Sequence, residues 1–153
     1  MDIAFLLERF GQDTRLGKLA LDEANTCTFL VDEMKISLTY IAEGAHLLCF
    51  AEVGRLPETG GAPLLRAALQ ANYLFRGTAG ATLAVSPDTQ ALFLNQSLLL
   101  DSLSYDDFLK KLSDFVDTLA VWKKLLADYR PAVSDAAAEE MTPDSSQSGF
   151  LKI

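Results

Sequence analysis

Histidine occurs once, cysteine twice and tryptophan once in this 153-residue chain. The scarcity is informative, because nucleophilic catalysis by serine or cysteine needs a base beside the nucleophile. His46 would have to serve, with Cys49 or Ser37 as nucleophile, and nothing in the spacing favours that arrangement. Metal binding needs clustered His, Cys or carboxylates at ligand spacing, and no such cluster occurs. The glycine-rich stretches Gly60-Gly61 and Gly77-Thr78-Ala79-Gly80 lack both the lysine and the strand-to-helix setting of a phosphate loop. The sequence therefore implies neither a metal nor a cofactor. Two cysteines, Cys27 and Cys49, are too few for a disulfide framework and read as reduced packing residues in apolar runs.

Positive charge is also short. Thirteen Lys and Arg stand against 21 Asp and Glu, a formal net charge of −8. Such a surface repels phosphate backbones, which excludes nucleic acid; it suits solubility or a basic protein partner. No apolar run approaches the roughly 18 residues that would suggest a membrane span. The opening MDIAFLLERF places acid ahead of its apolar residues instead of a basic region, unlike a signal peptide. The expected location is the cytosol.

What is present is core-forming material, since hydrophobic residues make up 50% of the chain. That is enough for one domain, residues 1–130. Asp2 can cap a helix over about residues 3–15, with Ile3, Leu6, Leu7 and Phe10 on one face and Phe5 off it. From Thr26 to Val53 the period becomes two. Cys27, Phe29 and Val31 alternate along a first strand, Asp32-Glu33 turns the chain, and Ile36, Leu38 and Tyr40 line one face of a second. Glu43-Gly44 makes the next turn. His46 to Val53 is a third strand, apolar on both sides, hence central or covered from outside.

Residues 55–62 form a loop, and Pro63 suits the first turn of a second helix over residues 64–75. That helix is apolar nearly all round, which predicts burial on more than one side. Gly77 and Gly80 end it. Thr82–Val85 then pairs through Ser86-Pro87-Asp88 with a strand over Gln90–Asn95, which Gln96 to Leu100 either extend or repeat. Ser104 and Asp107 form a capping pair ahead of a long helix to Tyr129, with Phe108, Leu112, Phe115, Leu119, Trp122 and Leu126 on its apolar face. Pro131 stops it. Residues 131–153 are rich in Ala, Ser, Asp, Glu and Pro and are expected to be a disordered acidic tail, with a short apolar end at Phe150, Leu151 and Ile153. The fold class is α+β, in the order α-β-β-β-α-β-β-α, with helices on one twisted antiparallel sheet.

The stretch LLRAALQANYLFRGTAGATLAVSPDTQALFLNQSLLLDSLSYDDFLKKLSDF carries paired Leu64-Leu65, Ala71-Asn72 near the helix end, Gly80 before a short strand, Pro87-Asp88 at a turn, Leu98–Leu100 at a strand end, and Phe115 and Trp122 on the last helix. In this order it resembles the class I type III secretion chaperones of the Tir-chaperone, CesT-type family. The likeness covers about residues 1–129. It implies a cytosolic homodimer without enzymatic activity that binds the N-terminal segment of a secreted effector. The segment would be held extended and presented to the secretion apparatus and its ATPase. The resemblance also implies dimer contacts at Leu65, Leu69, Asn72, Leu83, Val85, Leu92 and Leu94, and effector contacts at Phe5, Phe29, Val31, Ile36, Leu38 and Phe50. Two other readings stay open: an adaptor of the same fold that binds a regulator, and a small hydrolase using His46.

Overall fold

Eight regular elements follow one another in the expected order in the computed structural model, which describes residues 2–132. They are α1 (Ile3–Asp13), β1 (Thr26–Val31), β2 (Met34–Ile41), β3 (His46–Arg55), α2 (Ala62–Asn72), β4 (Thr82–Val85), β5 (Ala91–Leu99) and α3 (Tyr105–Asp128). Single 3-10 turns follow α2, at Tyr73–Phe75, and β5, at Leu100–Ser102. The acidic tail expected from residue 131 onward lies, from residue 133, outside the described residues.

The strands form one antiparallel sheet in the order β1-β2-β3-β5-β4. The doubly apolar β3 is its central strand, one of the two settings its sequence allows. The outer strands are β1 and β4. β1 and β2 are joined by the two residues Asp32 and Glu33, both at positive φ (47° and 65°), the conformation of a type I′ hairpin turn.

Period-two alternation puts Cys27, Phe29, Ile36, Leu38, Leu47, Cys49, Leu92 and Leu94 on one face, where all are buried. α1 supplies Leu6, Leu7 and Phe10 to this core, and α3 supplies Phe108, Leu112, Phe115, Leu119 and Trp122. Phe10 sits between the layers, edge-on to Phe29 at 5.3 Å and to Phe108 at 5.4 Å between ring centroids. The opposite face is half-open, with Leu30, Ile41 and Leu99 exposed beside polar residues.

Cys27 and Cys49 both pair with Leu38, one from each side. Two strand spacings put them about 9.6 Å apart, beyond the roughly 7 Å that a disulfide tolerates between Cα atoms. Both are buried free thiols, and burial pushes the ionisation of each up.

The helix termini behave as their capping residues dictate. Asp2 accepts from the Phe5 amide at 2.9 Å, and Ser104 accepts from the Asp107 amide at 3.1 Å while donating to its carboxylate at 2.6 Å. Gly11 has a different role. A Cβ there would lie 2.1 Å from the carbonyl oxygen of Gly17, so only glycine lets the returning chain lie against α1.

α2 ends at Asn72, three residues short of its expected end. Tyr73 turns extended, and Leu74 and Phe75 take positive φ (53° and 56°). The cause lies in the tertiary structure. The Asn72 carboxamide donates to the Leu83 carbonyl at 3.0 Å and accepts from the Leu83 amide at 2.9 Å, fixing the helix end against β4.

α1 and α3 are also tied together by a polar contact. The buried Tyr105 donates its hydroxyl to Asp13 at 2.7 Å, with the Arg9 guanidinium 3.8 Å from the ring centroid. Burial, then the bond to Asp13, pushes the phenol from 10.0 up to about 12. The fold thus favours the protonated phenol. Its contribution is whole below the unfolded value of 10.0 and is lost as pH rises through about 12. Melting temperatures measured from about pH 9 to about pH 11 should fall more steeply for the natural chain than for Tyr105→Phe. Parallel curves would remove the assignment.

Candidate protein-binding surfaces

The backbone pairing leaves the two outer strands in different states. In an antiparallel ladder, alternate residues turn their N–H and C=O away from the neighbouring strand. On β1 the phase is set by the Tyr40 amide, which donates to the Asn25 carbonyl at 2.9 Å. Asn25, Cys27, Phe29 and Val31 therefore bond to β2, and Thr26, Thr28 and Leu30 face outward. Asp22 closes the edge at Thr26, accepting its amide on the side chain and donating its own amide to the Thr26 carbonyl, both at 2.9 Å. The outward backbone groups of Thr28 and Leu30 take no partner among the described residues.

Beside this open edge lies an apolar groove of about 390 Å³, lined by Leu16, Leu30, Val31, Leu109 and Val116 among others. Leu30 is 60% exposed at its rim. A larger cleft, about 770 Å³, runs between α1 and residues 15–21, with Leu7, Leu19 and Leu21 in its wall. Phe5 stands 59% exposed on α1, next in sequence to Ala4 in the same wall.

β4 has the opposite character. Ser86 and Ala91 are a bonded pair, through the Ser86 amide and the Ala91 carbonyl at 2.9 Å, so Leu83 and Val85 face away from β5. Both outward groups of Leu83 are taken by Asn72, which leaves only those of Val85 without a partner among the described residues of this short strand. Next to this closed edge is an exposed apolar run: Leu69 is 72% exposed, Tyr73 65%, Leu74 66% and Phe75 53%, with Val85 at 38%.

The residues expected at the two interfaces divide by depth. Of the effector-facing set, Phe5 is exposed, Val31 and Phe50 are half-buried, and Phe29, Ile36 and Leu38 lie beneath the helices. Of the dimer set, Leu69 and Val85 are exposed and Leu65 is half-buried. Asn72 is engaged with Leu83, while Leu83, Leu92 and Leu94 are inside the protomer's own core. Leu30 and Tyr73–Phe75 were not singled out from the sequence. A leucine in a strand and an apolar run at a helix end both look like core until the covering layer is known.

His46 faces the half-open side of the sheet, its Nδ1 3.1 Å from the Ser97 hydroxyl. Cys49 is on the other face, buried. Ser37 lies further along β2, opposite Phe50, with its hydroxyl 2.9 Å from that of Thr28. The sheet therefore separates His46 from Cys49, while Ser37, on the same face as His46, stands four residues along β2 from Ile41, the partner of His46, or about 13 Å at 3.3 Å per residue. No group of residues able to hold a metal ion occurs among the described residues, nor a helix long and apolar enough to cross a membrane.

This arrangement has counterparts. A chain of the ExsC–ExsE complex is 25% identical and superposes with a TM-score of 0.70 over 88% of this chain and 100% of its own. A chain from the Yersinia pestis type III secretion chaperone SycH with a stable fragment of YscM2 is 22% identical, TM-score 0.63, over 78% and 98%. A chain of the heterodimeric ExoU–SpcU complex from the type III secretion system of Pseudomonas aeruginosa is 20% identical, TM-score 0.63, over 82% and 98%. At 22% and 20% identity, the last two show a shared fold. A search of curated protein sequences returns no match. The family model for the Tir chaperone protein (CesT) family matches residues 5–123, and the chain belongs to that family of type III secretion chaperones.

Proposed function

We propose that this protein is a cytoplasmic, homodimeric chaperone that binds the N-terminal segment of a secreted effector and keeps it extended. The observation that carries the reading is the open β1 edge at Thr28 and Leu30, with an apolar groove alongside. An extended chain can add as a further strand there, its backbone pairing with Thr28 and Leu30 and its alternate side chains entering the groove. Backbone pairing is indifferent to sequence, so selectivity falls to the groove and to apolar positions beyond it. Phe5, Val31 and Phe50 are the contacts we assign, joined by Leu16 and Leu30. Phe29, Ile36 and Leu38 back this surface from within.

The homodimer uses Leu65, Leu69 and Val85 with Tyr73, Leu74 and Phe75. Leu83, Leu92 and Leu94 form the layer beneath, and Asn72 holds the helix end in place. No step requires ATP or a catalytic group on this chain. Release falls to the receiving apparatus, with its ATPase as the partner. The separation of His46 from Cys49 and Ser37 supports a non-enzymatic role.

The test is purification of the dimer with its native client, followed by amide hydrogen exchange. Protection should appear at Thr28 and Leu30 and along the client's N-terminal segment, with the rest of the client unaffected. Co-elution of a transcription or signalling protein alone, with no exported protein, would instead identify an adaptor.

A further inference from the structure

We propose that Asn72 is a built-in edge plug that leaves β1 as the one edge of the sheet open to an extended partner chain. This inference rests on the β1 reading above and adds the reason why the second edge does not compete. An antiparallel strand added at β4 would bring, opposite Leu83, one carbonyl to its amide and one amide to its carbonyl. The Asn72 carboxamide presents that same pair of groups from one side chain, at 2.9 Å and 3.0 Å. It takes the place of an added residue where β4, only four residues long, would have to be paired.

The placement depends on how α2 ends. Tyr73 leaves the helix in an extended conformation, so Asn72 is the last helical residue and lies beside β4. The identity of the side chain also matters. Aspartate, when ionised, accepts from the Leu83 amide but cannot donate to its carbonyl; leucine can do neither. Sheet edges are commonly blocked with charge, proline or bulges. Here the blocking group is neutral and comes from a helix.

The experiment is run on a background of Leu69→Glu with Phe75→Glu, so that no second copy covers β4, and places the photo-crosslinker p-benzoylphenylalanine at Ala84 on β4 or, in a second version, at Leu30 on β1. The probe is a synthetic peptide of alternating Val and Thr with a Lys at each end. With Asn72 in place, crosslinking should occur from Leu30 and not from Ala84. In Asn72→Ala it should occur from both, with faster exchange at the Leu83 amide. Asn72→Asp supplies a readout that loss of packing would not mimic, and stands in if Asn72→Ala fails to fold. It should crosslink from Ala84 near neutral pH, because the ionised carboxylate still accepts from the Leu83 amide and fills the same space but leaves the Leu83 carbonyl without a donor.

Crosslinking from Ala84 with Asn72 in place would overturn the proposal. So would its absence in Asn72→Ala while the Leu83 amide exchanges freely. If the peptide crosslinks from Ala84 in Asn72→Ala but from Leu30 in neither chain, the plug stands and the β1 reading falls.

Discussion

In the proposed homodimer, Leu69→Glu combined with Phe75→Glu should release a soluble, folded protomer whose melting temperature falls only by the share that association contributes. Both side chains are more than half exposed on the protomer, at 72% and 53%, so the fold does not depend on their apolar area. Surface changes of this kind cost the folded chain no more than about 0.5 kcal/mol. In the proposed dimer the same positions would be desolvated, where an ionised carboxylate without a partner costs several kcal/mol. With two such charges on each protomer, association should weaken by at least about 1,000-fold, since each 1.4 kcal/mol is a factor of ten. Sedimentation or light scattering gives the answer. An intact dimer would mean that the run Leu69–Phe75 is covered by something else. Leu83→Glu or Leu94→Glu would not serve, because these leucines are 5% and 0% exposed within one protomer and their loss would unfold it.

The second large effect is expected at the other end of the sheet. Thr28→Pro removes an N–H that points away from β2 and fills the edge with a pyrrolidine ring. Proline is tolerated on an outer strand where its nitrogen faces solvent, so the sheet should persist. A client strand then loses one hydrogen bond, and its own carbonyl is left unpaired at a cost of about 1–3 kcal/mol. Affinity for the native client should fall about 10- to 100-fold with the dimer intact. Phe29→Pro is the control, because its N–H is bonded to β2 and the substitution should damage the fold itself. Equal client affinity for Thr28→Pro and the natural chain would remove strand addition from the mechanism.

Much of the architecture could be read from the residues. The stripe Phe108, Leu112, Phe115, Leu119, Trp122 fixes α3, and alternation at Ile36, Leu38 and Tyr40 fixes β2 and its neighbours. These patterns are local, and short antiparallel connections account for the neighbours β1-β2-β3 and β4-β5 but not for the pairing of β3 with β5. Depth was harder. Alternation separates the faces of a strand but does not say which one a helix will cover. Phe29, Ile36 and Leu38 look as available in sequence as Leu30, yet they are buried while it is exposed. The same ambiguity hides Leu83, Leu92 and Leu94 beneath Leu69. The end of α2 has another cause. Residues 73–75 continue an apolar run that suits a helix, and what interrupts it is a pair of hydrogen bonds to a strand that begins ten residues later. No local pattern encodes that contact.

The order of strands also has a consequence for how this chain is made. β3 pairs with β2, its neighbour in sequence, and on its other side with β5, a register that brings His46 against Leu99. All of α2 and β4 lies between. During synthesis the β1–β2–β3 meander can form while the far side of β3 still has nothing to pair with, and closing that long loop carries the larger entropic cost. The growing chain thus passes through a stage in which its central strand is itself an exposed edge. Folding speed at the β3–β5 step, more than final stability, then sets how often newly made copies are lost to aggregation.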